Sequence, residues 1–186
     1  MRFSRMIAWG ICFFSTAALF AQATVKDVNE TTSVAIAGGA FQLDAPAAWK
    51  VKQPRSRIVA HEFAVNAADG DKNDGRLTIM GAGGTIEANI SRWKGQFKKT
   101  TDSKVGEKKI ADQKVSLVDI SGTFNESIGP PIARKSVERP NYRMLAAIIQ
   151  TEGKGNYFIK LYGPAKTIAG AEKQFHGFVE SLQATK

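Results

Sequence analysis

The chain has 186 residues, with 26 Lys+Arg against 17 Asp+Glu, a formal net charge of +9 and 43% hydrophobic residues. That apolar content excludes a disordered or collagen-like chain, and the length fits one domain better than two. A single cysteine, Cys12, excludes a disulfide framework.

Arg2 and Arg5 precede the apolar run Met6–Phe20, and Ala21-Gln22-Ala23 follows it. These are the three parts of a cleavable secretory signal. The run is shorter than the ~20 residues of a membrane span. Residues 1–23 are therefore expected to be a signal peptide, 24–32 a loose leader and 33–186 a single domain. The protein is expected to be exported, periplasmic or extracellular after cleavage near Ala23. Cys12 would leave with the signal, inside the apolar run rather than after it, so no lipid anchor is expected. With Arg2 and Arg5 removed the charge becomes +7, from 24 basic and 17 acidic residues. No later segment is apolar over a membrane-spanning length, and the fold must rest on its own core.

Ser33–Ala37 and Ala40–Leu43 read as two short strands. Gly38-Gly39 between them accepts the positive φ a tight hairpin requires. Asp44-Ala45-Pro46 breaks the second, and Trp49–Lys52 offers another short strand. Ile58–Val65 alternates, with Val59, His61, Phe63 and Val65 on one face. The polar stretch 66–75 follows, then a strand over Arg76–Ala82. Thr85 is placed to cap a helix with Glu87 in its first turn. Ile86, Ile90, Trp93 and Phe97 share a face of that helix, with Lys98 and Lys99 at its end.

Val105–Ile110 and Gln113–Phe124 form a predicted hairpin turning at Ala111-Asp112. Residues 125–140 hold Gly129, Pro130, Pro131 and Pro140, and read as a long loop. Tyr142–Thr151 is apolar on both faces, as in a sheet covered on both sides. Gly153 and Gly155 turn the chain into Asn156–Tyr162. The last helix is predicted from about Ala165 to Leu182, with Ile168, Ala171, Phe175, Phe178 and Leu182 on one stripe. Short turns between strands give antiparallel pairing, and each amphipathic helix needs an apolar sheet face. The expected class is α+β, an antiparallel β-sheet flanked by helices.

Phe41-Gln42-Leu43-Asp44-Ala45-Pro46 followed by Trp49 resembles the entry of the PsbP-like family. Tyr157-Phe158-Ile159-Lys160-Leu161-Tyr162-Gly163-Pro164, followed by the Phe175/Phe178 helix, resembles its closing strand and helix. Gly83-Gly84-Thr85 through Asn89, Arg92-Trp93 and Gln96-Phe97 resembles a pattern in exported bacterial members. The resemblance spans about Val34 to Leu182. It implies an α/β/α sandwich, the fold of the extrinsic PsbP protein of photosystem II and the Ran-binding protein Mog. It further implies scaffolding or binding rather than catalysis. No photosystem-specific or Ran-specific residue carries over.

Asp69-Gly70-Asp71-Lys72-Asn73-Asp74-Gly75 invites a calcium reading. The sixth and twelfth positions of an EF-hand loop starting at Asp69 are Asp74 and Met80, not Gly and Glu, so a solvated hairpin tip is expected. Gly81-Ala82-Gly83-Gly84-Thr85 leads into a helix, but no Walker lysine follows. His61 and His176 are the two histidines, and neither is accompanied by a metal-ligand or triad pattern. Asp119 and Glu138 are carboxylates that nothing in the sequence brings together.

Arg92, Lys94, Lys98, Lys99, Lys104, Lys108 and Lys109 form a basic run that would attract an acidic protein or an anionic envelope component. Nucleic acid is not an expected partner. The long loop and its flanks supply the candidate binding residues Arg134, Lys135, Arg139, Tyr142 and Arg143. No catalytic residue, metal or cofactor is expected. The sequence points to an exported, non-enzymatic binding or accessory domain. The alternatives are a carrier for a small ligand between sheet and helix, and an enzyme with an unrecognised carboxylate or histidine site.

Overall fold

The computed structural model describes residues 31–129 and 135–185. The expected signal peptide, most of the leader and Arg134 lie outside them. Ten strands and two helices follow in chain order: β1 (Thr32–Ile36), β2 (Phe41–Ala45), β3 (Lys50–Lys52), β4 (His61–Val65), β5 (Gly75–Ala82), α1 (Ile86–Lys94), β6 (Phe97–Ile110), β7 (Gln113–Ile128), β8 (Lys135–Thr151), β9 (Gly155–Pro164), α2 (Ala165–Glu180) and β10 (Gln183–Ala184). Seven strands form one antiparallel sheet in the order β3-β4-β5-β9-β8-β7-β6, and β1-β2-β10 form a second, smaller one. The class is α+β.

Strand alternation divides the interior in two. Leu145, Ala147 and Ile149 of β8 join Leu77, Ile79, Ile159 and Leu161 in a core with Ile168, Ala171, Phe175, Phe178 and Val179 of α2. Val34, Ile36, Phe41 and Leu43 of the small sheet close that core. Met144, Ala146 and Ile148 point the other way and pack with Phe158, Ile120 and Trp93 of α1. Both faces of β8 are thus buried, which is why its sequence is apolar without alternation.

Three expectations are corrected. The helix stripe through Phe97 is too long: α1 ends at Lys94, and Phe97 opens β6. Phe97 nevertheless reaches the same apolar cluster as Trp93, because a chain leaving the helix can aim one more side chain at the core it has just covered. Lys98 and Lys99 therefore sit on a strand rather than at a helix end.

Within the predicted loop over 125–140, residues 125–128 and 135–140 instead extend β7 and β8, paired from Phe124↔Arg139 to Ile128↔Lys135, and residues 130–134 lie outside the described residues. Pro140 and Asn141 fall where the register shifts between Gly122↔Tyr142 and Phe124↔Arg139, and Asn141 has φ 55°. Proline is tolerated there because a bulge asks no ladder hydrogen bond of it. Finally, β10 was not foreseen: two exposed residues carry no pattern of their own and pair only because β2 presents a free edge.

The acidic tip between β4 and β5 has a structural role. Pro164, at the start of α2, offers no side-chain cap. Asp71 supplies one from across the molecule, accepting from Thr167 N at 3.0 Å and Thr167 Oγ1 at 2.6 Å. Asp74 accepts from Ala67 N at 3.0 Å and holds the tip itself. Asp71→Ala is expected to cost about 1–2 kcal/mol, with Asp71→Asn losing less because it keeps an acceptor but not the charge. Thermal melts of the two variants check this; equal melting of both with the parent would refute the cap.

Candidate functional site

α1 is short and covers only part of its sheet face. Beyond it, toward β4 and β3, the face lies open as a cleft of about 630 Å³. Its floor comes from adjacent strands. Glu62 on β4, Arg76 on β5 and Tyr162 on β9 follow one another across the sheet, with Arg76 directly opposite Tyr162. Arg76 donates from Nε and Nη2 to the two Glu62 oxygens, both at 2.8 Å, and from Nη1 to the Tyr162 hydroxyl at 2.7 Å. The Arg55 backbone N–H donates to Glu62 Oε2 at 3.3 Å.

Glu62 is only 4% exposed. Hydrogen bonding from Arg76 outweighs its desolvation and holds its carboxyl below the ordinary range. The same pair raises the Arg76 guanidinium, against the opposing effect of burial. Burial pushes the Tyr162 and Tyr142 phenols up. The floor is thus a charge-paired network in which both Glu62 oxygens and the Tyr162 hydroxyl are engaged by Arg76.

The far wall comes from the β7–β8 hairpin. Arg139 Nε donates to Glu126 Oε2 at 2.9 Å, which raises the guanidinium. The Tyr142 hydroxyl accepts from Asn73 Nδ2 at 3.4 Å. Phe124 lies between the two tyrosines, stacked parallel to Tyr142 at 6.2 Å and tilted against Tyr162 at 5.0 Å. Lys52 and Gln53 close the near wall, and Ile128 extends the rim.

The sequence-derived candidates separate. Arg139 and Tyr142 line the cleft. Lys135 starts β8 and is exposed. Arg143 lies on the opposite face of the sheet, where it donates to Asp119 at 2.9 and 2.8 Å and to Glu172 of α2 at 2.8 Å. It ties that helix to the sheet and does not join the others. Asp119 is engaged there, and Glu138 pairs with Lys98 at the hairpin. His61 contacts the Ala35 carbonyl at 3.1 Å, and His176 lies against Phe175. Neither histidine lines the cleft. Of the basic run from Arg92 to Lys109, Lys98, Lys104, Lys108 and Lys109 pair with Glu138, Asp102, Glu180 and Asp112, while Arg92, Lys94 and Lys99 make no ion pair among the described residues.

Glu62, Arg76 and Tyr162 were not singled out from the sequence. The available signal was an acid and a base at strand positions whose neighbours are apolar, in strands predicted to pair.

No family model matches the sequence, and no curated protein matches it. Among solved structures, the chain is similar to cyanobacterial PsbP (CyanoP) of Synechocystis sp. PCC 6803. The identity is 11% over 90% of this chain and 99% of that one, with a TM-score of 0.52. It is also similar to LpqN of Mycobacterium tuberculosis, at 10% identity over 84% of this chain and 91% of that one, with a TM-score of 0.51. The chain has the PsbP/Mog1 fold.

Proposed function

We propose that this protein is an exported, non-catalytic binding domain with the α/β/α arrangement of PsbP, and that its open cleft receives a protein partner in the cell envelope. The observation that carries the reading is the charge-paired floor. Glu62 has both oxygens occupied by Arg76 and is held ionised, so it makes a poor general acid or base, and Tyr162 already accepts from Arg76. Such a floor is a rigid surface for recognition, and Lys52 and Arg55 at the cleft's rim, beside the Arg139–Glu126 pair, are cations that an acidic segment would meet. Export is supported by the N-terminal signal pattern. The envelope setting is supported by the likeness to LpqN, a protein described as involved in cell envelope biogenesis. The volume also lies within the range of small-ligand sites.

A photo-crosslinking residue at Gln53, on the cleft wall, is expected to capture an envelope protein in cells. The same residue at Lys154, in the turn between β8 and β9, is expected to capture none. Arg139→Glu should reduce the Gln53 adduct by about tenfold, the effect of removing one well-formed charged contact. Identical adducts from both positions, or none from Gln53, would refute the proposal.

A further inference from the structure

Lys160 stands on β9 between Phe158 and Tyr162, on the face shared by α1 and the cleft. Thr78 of β5 and Ala146 of β8 flank it in register. Its Nζ donates to Gln96 Oε1 at 3.3 Å and lies 5.1 Å from the centre of the Tyr162 ring. Neither group is a counter-charge. Glu62 is the carboxylate nearest in the register, opposite Thr78, which is opposite Lys160. Both of its oxygens are committed to Arg76. Among the described residues Lys160 makes no ion pair, although its side chain stays partly exposed.

The surroundings add positive charge rather than relieve it. Burial first, then Arg76 and Arg92, lower the Lys160 ammonium to about 8. Arg92 donates from Nη2 to Asn89 Oδ1 at 2.6 Å, about one turn back along α1. An ammonium has three N–H donors, and Gln96 takes one. The Gln96 amide nitrogen is itself a donor. Arg76 and Lys160 both lie over the Tyr162 ring, and the one carboxylate of the floor is committed to Arg76, a deficit of negative charge that costs the fold stability.

We propose that Lys160 and Gln96 form a subsite for an oxyanion, the carboxylate or phosphate group of a ligand, where α1 meets the cleft. The inference stands apart from the protein partner proposed above, because it needs no rim residue. A bound oxyanion would supply the missing counter-charge and accept from the free N–H groups of both side chains.

Thermal melts of the full chain in chloride, inorganic phosphate and acetate at equal ionic strength and neutral pH test it. The parent is expected to gain about 2–4 °C in phosphate over chloride, a gain absent from Lys160→Met and kept by Arg139→Gln. Lys160→Met should melt above the parent in chloride, since it removes an unpaired, partly buried charge. A gain in acetate as well defines a general oxyanion site, and a gain in phosphate alone defines a phosphate site. Equal gains in the parent and Lys160→Met would overturn the proposal, as would loss of the gain in Arg139→Gln. In the unmodified protein, the Lys160 ammonium followed by NMR should titrate about one unit higher in phosphate. An unchanged titration overturns the proposal whether or not Lys160→Met folds.

Discussion

Gly122→Ala is expected to destabilise the protein by more than about 3 kcal/mol, because backbone must move to admit one methyl group. Gly122 has φ 154°, and a Cβ built on it would lie 1.8 Å from the Lys99 carbonyl oxygen and 2.8 Å from its carbon. The obstacle is main chain, not a side-chain tip that could swing aside. The position falls where β7 meets irregularities on both sides, since β6 shifts register between Thr100 and Asp102 and β8 between Arg139 and Tyr142. Gly106→Ala, on the neighbouring edge strand β6 with nothing within 4 Å of the new methyl, is the control and should stay within about 0.5 kcal/mol of the parent. Urea midpoints of the two variants decide the matter; similar midpoints would mean that the ladder gives way more easily than its geometry implies.

Glu62→Ala carries the second large effect. It leaves Arg76 without its bidentate partner in a site where the arginine side chain is 27% exposed. Breaking a fully buried pair costs roughly 3–5 kcal/mol, and the remaining access to water reduces this to about 2–3 kcal/mol. Because the Glu62 carboxyl is lowered in the folded state by Arg76, the pair's contribution is complete above the ordinary carboxylate range. It fades as pH falls through the folded value, where the native state takes up the proton. The parent should therefore lose stability on acidification more steeply than Glu62→Ala. The double variant Glu62→Leu/Arg76→Met should recover part of the loss, since it strands no charge. Parallel pH profiles for parent and Glu62→Ala would show that the pair is not coupled to folding.

Much of the scaffold was legible because its signals are local. The α2 stripe, the all-apolar β8 and the Gly38-Gly39 turn each reflect one element's periodicity or backbone demand, and each forms where expected. What escaped depends on neighbours distant in sequence. Pro140 argues for a loop by its missing N–H, and only the bulge opposite Gly122 makes it compatible with a strand. Phe97 fits a helical spacing, yet the chain has already left the helix when it reaches the same core. The cleft is a harder case. Arg76 and Tyr162 are 86 residues apart, and their meeting requires that β5 pair with β9, which no strand sequence specifies. Arg139 and Tyr142 were singled out for their loop and line the cleft from a hairpin. Arg143, one residue on from Tyr142, faces away because consecutive strand residues point to opposite sides.

The small sheet has a consequence for how the molecule is made. Its middle strand, Phe41–Ala45, is bordered on one side by residues 32–36 and on the other by residues 183–184. Thr185 adds a bond to the Ala40 carbonyl, and Asp44 N donates to Ser181 Oγ. The first partner precedes the middle strand closely in the chain, and the second follows it only after the whole of the larger sheet and α2. The apolar side of the opening hairpin is therefore covered only once α2 has been made.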